Sequence, residues 1–249
     1  MRTNNPTLNA KTFTGFAPMT ETMSIQGTVN KTFILLLLVL GSAAWIWSRF
    51  YSALEPSLAL PAIIPWMFGG AIGGFIVALV TIFKKSWAGV TAPIYALLEG
   101  LFLGGLSAIL EASYPGIVIQ AVGLTFGTLF CMLAAYTSRI IKPTEKFKLG
   151  VVAATGGIML IYLASFLLGL FGVPIPYIHG SGLIGIGFSL FVVVIAALNL
   201  VLDFDFIEQG AARAAPKYME WYGAFGLMVT LVWLYIEILR LLAKLRRRR

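Results

Sequence analysis

Charge is what this 249-residue sequence has least of. Asp, Glu, Lys and Arg make up 11% of it, against roughly 25% in an average soluble domain. Cysteine and histidine occur once each, as Cys131 and His179. A lone cysteine rules out an intrachain disulfide. A lone histidine in VPIPYIHGSG, with no Cys, Asp or Glu beside it, makes a poor zinc ligand or catalytic base. HExxH, GxSxG and P-loop patterns are missing as well. The chain therefore reads as a protein that is not an enzyme, with no resident cofactor. The basic excess gives a net charge of +8, but no nucleic-acid-binding motif accompanies it.

What the chain has instead is apolar length. Hydrophobic residues make up 59%, against ~45–50% in soluble domains, and the mean hydropathy is +0.91. A globular core cannot hide that much apolar surface at this length. The apolar runs exceed the ~9–11 alternating residues of a barrel strand and suit the ~20 residues of a membrane helix. Seven runs are long enough to cross: Phe33–Trp47, Leu58–Phe83, Gly89–Leu110, Pro115–Tyr136, Leu149–Phe171, Gly182–Leu202 and Trp221–Leu245. The first is short and is expected to reach back into Thr28–Thr32. The fold class is thus an all-α seven-transmembrane-helix bundle in a lipid bilayer. Residues 1–30 are expected to be a flexible polar tail, 31–245 the transmembrane domain and 246–249 a basic tail.

Short connections make successive helices antiparallel neighbours. With the N-terminus in the cytoplasm, the inner segments hold Arg2, Lys11, Lys31, Lys84, Lys85, Arg139, Lys142, Lys146, Lys148, Arg213 and Lys217, and the outer loops hold only Arg49. That sorting obeys the positive-inside rule. Lys244 and Arg246–Arg249 break it, because seven full crossings put them outside. Gly69, Gly70, Gly73 and Gly74 give two overlapping GxxxG spacings, and Gly100 with Gly104 a third. They predict close helix packing. Cys131, inside span four, is expected to pack as a small hydrophobe.

The informative residues are carboxylates set in apolar runs, each of which costs roughly 2.5–3.5 kcal/mol at a helix centre. Such groups face the bundle interior or a water path. Glu99 lies mid-span in PIYALLEGLFLGG. Asp203 and Asp205 close span six in LNLVLDFDFIEQG. Asn199, four residues before Asp203, shares its face, so this polar stripe is expected to look inward. Asp205 pairs at the same spacing with Gln209 and is expected near the interface. Glu237 lies in LYIEILRLL, with Arg240 three residues on. A local ion pair is one reading of Glu237, and a second carboxylate facing span six is the other. Two adjacent carboxylates would share a proton and so sense pH, and when ionised would offer oxygens to a hard cation such as Ca²⁺.

At these residues the sequence resembles the Bax inhibitor-1 family, in what looks like a bacterial branch. The resemblance rests on seven short-looped spans, EGLFLGG in span three, LNLVLDFDFI at the end of span six and WLYIEILRLL in span seven. It implies a bundle with the last helix central, and a pH-sensitive calcium leak in the inner membrane governed by carboxylates on spans six and seven. Asp203 matches the span-six acid, Glu237 the span-seven acid with one extra methylene, and Glu99 a third-span glutamate. Lys84 and Lys85 stand where some members carry an arginine cluster that latches onto the span-six acid. Calcium and protons are the implied ligands, with Asp203 and Glu237 as the implied cation site. Two departures stand out: a second acid, Asp205, two residues after the span-six acid, and the spacing from Asp203 to Glu237. A turn at Pro216 would leave the pair ~12 Å out of level, at 1.5 Å per residue. If the pair fails to meet, Glu99 becomes the better partner. The alternative function is a non-conducting interaction protein that modulates a membrane protease or stress response through a membrane-protein partner.

Overall fold

In the computed structural model, residues 21–53, 56–172 and 180–248 are described. They form seven long helices: α1 Ile25–Tyr51, α2 Pro56–Phe83, α3 Ala88–Ser113, α4 Ile117–Thr137, α5 Glu145–Leu170, α6 Leu183–Ala212 and α7 Met219–Arg247. Each is long and apolar enough to cross a bilayer. A single 3₁₀ turn, Lys85–Trp87, joins α2 to α3. His179 lies outside the described residues.

The largest departures from the expected boundaries are the start of α1 and the end of α6. Helix α1 begins at Ile25, well inside the stretch read as tail, because Ser24 caps it by accepting from the Gly27 N–H. Residues 21–24 are pinned rather than free. Met23 N–H donates to Ala215 O at 2.7 Å, Lys217 N–H donates to Glu21 O at 3.0 Å, and Thr22 bridges Pro216 antiparallel. Helix α6 continues ten residues past Leu202, so Asp203 and Asp205 lie within it. Its last turns are held by Lys148 on Asp205 (2.8 Å) and by Tyr136 O–H on Glu208.

Helix α7 is central, as the resemblance implies. Leu227, Leu231, Leu234 and Ile238 follow helical spacing and pack with Ile117 and Ala121 of α4 and Ala196, Leu200 and Phe204 of α6. The neighbouring stripe of Ala224, Phe225, Met228 and Val232 packs with Leu35 and Val39 of α1 and Ala92, Tyr95, Ala96 and Leu103 of α3. Two of the three glycine spacings become seams. A methyl group at Gly104 would meet Ala43 O at 2.5 Å, and one at Gly100 would strike Val39 and Ser42, so α1 and α3 touch backbone to backbone. A methyl group at Gly70 would meet Leu98 O at 2.5 Å, and one at Gly74 would meet the Glu99 carboxylate at 3.2 Å. Gly69 has nothing near it, and Gly73 meets only the Leu98 side chain, at 3.3 Å, rather than the α3 backbone.

The outer helices are attached unequally. Among the described residues, α2 packs along much of α3 and also on α1 but shares no extensive seam with α6, and α5 is held lightly, through α6. The starts of α1, α3, α5 and α7 share one end of the bundle with Lys31, Lys84, Lys85, Lys148 and Lys217. The other end carries Arg49 and the basic last turn of α7, where Arg246 donates to Pro115 O at 2.6 Å. Cations at a helix C-terminus complement its dipole.

Candidate functional site

Four helices leave a crevice of about 720 Å³ in the half of the bundle nearer its lysine-rich end. Each contributes one face at helical spacing: Ala71, Phe75, Ala78 and Ile82 from α2, Tyr95, Glu99 and Phe102 from α3, Asn199, Leu202, Asp203 and Phe206 from α6, and Tyr222, Gly226 and Val229 from α7. The small side chains at 71, 78 and 226 make the space. The lining is apolar except for the two carboxylates, the Asn199 amide and the tyrosine hydroxyls, and holds no Lys or Arg.

The inward-facing Asn–Asp stripe is present. Asn199 reaches α5 and donates from Nδ2 to Thr155 Oγ1 at 2.8 Å, and to Ile195 O at 2.8 Å. Asp203 lies across from Gly226, with Oδ1 at 3.9 Å from where a Cβ at 226 would stand, and beside the Thr230 hydroxyl. Its Oδ2 is sealed from solvent and has no hydrogen-bond partner among the described residues. Glu99 faces the same crevice from α3, one helical turn beyond Tyr95.

Glu237 sits elsewhere. It is 1% exposed. Its Oε1 accepts from Tyr162 O–H of α5 at 3.0 Å and from Arg240 at 2.9 Å, while Oε2 has no partner among the described residues. The local ion pair is therefore the arrangement found. Arg240 stacks over Tyr162, and both line a second, smaller cleft of about 280 Å³ with Ser189 and Lys244. Lys244 donates to Ser189 Oγ at 2.8 Å and to Gly185 O at 3.0 Å.

This placement corrects the expected carboxylate pair. Asp203 is level with Gly226 and Thr230. Glu237 is eleven and seven residues further along α7, or ~10–16 Å along the axis at 1.5 Å per residue. The cause is the symmetry of the turn. Helix α6 ends at Ala212 and α7 starts at Met219, so the chain reverses about Pro216 with no asymmetric loop to bring 203 and 237 level. Asp203 and Glu237 cannot jointly hold a cation here. Among the described residues no three His, Cys, Asp or Glu side chains gather into a metal-binding group. Asp203 instead shares its compartment with Glu99.

The expected lysine latch is also redistributed. Lys85 lies over the Tyr222 ring at 5.4 Å, at the edge of the crevice. Lys84 precedes the 3₁₀ turn. The lysine that meets a span-six acid is Lys148 of α5, and the acid is Asp205, which also accepts from Gln209 at 2.5 Å. Cys131 is exposed on α4 rather than packed inside.

One charged group escaped the sequence reading. Glu220, at the start of α7, is fully buried. Ser24 donates to its Oε1 from both N–H and O–H at 2.9 Å, Lys31 pairs with Oε2, and Lys217 lies 3.4 Å from Oε1. A methyl group at Gly27 would land on this carboxylate. Only the unexplained glycine in the first turn of α1 hinted at so close an approach.

A family model described as "Bax inhibitor 1 like" matches residues 5–247, nearly the whole chain. No curated protein matches, and no solved structure matches.

Proposed function

Because the chain belongs to the Bax inhibitor 1 like family, we propose that this multi-pass membrane protein is a pH-sensitive calcium leak whose cation compartment is the crevice holding Glu99 and Asp203. The observation that carries the reading is that two carboxylates from different helices open into one crevice whose lining has no basic side chain. Isolated acids in an apolar bundle are costly, and a cation path is a common reason to keep them. Carboxylate oxygens suit a hard cation, and water would complete its shell.

Each residue then has a task. Ionised Glu99 and Asp203 draw the cation into the crevice. A proton on either removes part of that attraction, so acid closes the path and alkali opens it. Glu237, about two to three turns further along α7, is a second acid in series rather than half of a pair. Between them α7 is packed by Leu231, Leu234 and Val232, which corresponds to a closed state. Opening needs a helix to move. The lightly attached α5 is the natural mover. By the positive-inside rule the lysine-rich end faces the cytoplasm, and the host membrane is a bacterial inner membrane.

The test is calcium entry into proteoliposomes loaded with a calcium dye, compared at about pH 6 and about pH 8. The wild-type rate should rise with pH and Asp203→Asn should flatten the profile. No flux above protein-free vesicles, together with a stable copurifying membrane protein, would overturn the leak and favour a non-conducting interaction role.

A further inference from the structure

The crevice has a side door. Helices α2 and α6 both line it, yet among the described residues they share no extensive seam. Through the gap the central helix is visible from the lipid side: Val229 of α7 is 37% exposed. The rim is apolar, with Phe75 of α2 and Phe206 of α6 turned outward. Inward the chemistry changes to the Glu99 carboxylate, and to Asp203 with an acceptor oxygen that no protein donor meets. Phe75 and Phe206 mark the apolar entrance and Glu99 and Asp203 the anionic end.

The geometry points to a binding site for a lipophilic amine, a single apolar chain with a protonated head, entering from the bilayer between α2 and α6. Its ammonium group donates to Glu99 and Asp203, and its chain lies along Phe75, Phe206 and Val229 out into lipid. Charge selects this occupant over others of the same shape. A fatty alcohol fills the door but leaves the carboxylates without a counter-charge. A phospholipid offers a bulky headgroup carrying a phosphate, which the two acids repel. The site lies in the same crevice as the proposed leak, but binding requires no passage of ions.

The probe is dodecylamine bearing a diazirine near its head, photoactivated on the full-length protein in phosphatidylcholine nanodiscs and mapped by mass spectrometry. Label is expected on α2 between Phe75 and Ile82 and on α6 between Leu202 and Phe206. Unlabelled dodecylamine should compete about ten- to a hundredfold better than dodecanol, the range that charge-assisted hydrogen bonds supply. Glu99→Gln with Asp203→Asn should abolish that preference. Val229→Trp, a change on the lipid side of the door that leaves the acids intact, should cut labelling by at least about tenfold by filling the space. Equal competition by dodecanol, an undiminished preference in the double variant, or label confined to the outward faces of α4 and α5 would each overturn the proposal. Amine binding without calcium flux would sink the leak and keep this site. Flux without amine binding would do the reverse.

Discussion

Glu220 gives the sharpest test of how the first and last helices are joined. Its carboxylate is fully buried, and four donors converge on it: Ser24 N–H, Ser24 O–H, Lys31 and Lys217. Removing one side of a buried ion pair costs about 3–5 kcal/mol. The cost is smaller here because Lys31 is 16% and Lys217 45% exposed, so water reaches the cations. Glu220→Gln keeps acceptors for Ser24 but loses the charge between two lysines, for a loss of about 2 kcal/mol. Lys31→Met leaves the carboxylate three of its partners, and should cost about 1–2 kcal/mol. Lys217→Met, on an exposed partner, should cost less than about 1 kcal/mol. At roughly 2–4 °C per kcal/mol for chains of this size, Glu220→Gln lowers Tm by about 4–8 °C. The assay is thermal unfolding of the purified protein in one detergent. The order Glu220→Gln, Lys31→Met, Lys217→Met is the prediction, and the Glu220→Gln/Lys31→Met double variant should lose less than the sum of the single losses. Equal Tm values for Glu220→Gln and wild type, or strict additivity, would refute the clasp.

Gly104→Leu should disrupt folding or sharply lower Tm, because its side chain has only the α1 backbone to enter, whereas Gly69→Leu should leave Tm within about 1 °C, as expected for an open surface site. Asn199→Ala strands the Thr155 hydroxyl and should loosen α5 from α6, read as faster hydrogen exchange in α5 with α7 unchanged. Cys131 faces outward from α4, so Cys131→Leu should leave Tm within about 1 °C, and a large loss would contradict that placement.

Much of the architecture was legible because lipid imposes it. Long apolar runs and short polar connections set seven antiparallel helices, and Gly100 with Gly104 marked a real seam. Asn199 and Asp203 could be placed on one inward face because i,i+4 spacing alone decides it. Register between helices was another matter. Whether Asp203 meets Glu237 or Glu99 depends on where α6 and α7 end, and Pro216 is fixed there by residues 21–24 from the opposite end of the sequence. The same holds for Glu220, whose partners Lys31 and Ser24 lie 189 and 196 residues away in sequence. A glutamate in the first turn of a helix looks like an ordinary interfacial acid. The Lys148–Asp205 contact joins two helices whose facing sides no periodicity distinguishes. Gly69 and Gly70 show the same limit at one-residue scale, since overlapping GxxxG spacings compete and only the close approach of the α3 backbone at Leu98 to Gly70 chooses between them.

The most direct test is a double-mutant cycle on calcium flux in proteoliposomes, comparing Glu99→Gln, Asp203→Asn and Glu237→Gln singly and in pairs at one pH. If Glu99 and Asp203 share the cation compartment, their combined variant falls well short of the product of the single losses. Asp203 and Glu237, separated along α7, should instead multiply independently. Strong coupling between Asp203 and Glu237 with none between Asp203 and Glu99, or flux indifferent to all three, would contradict the account.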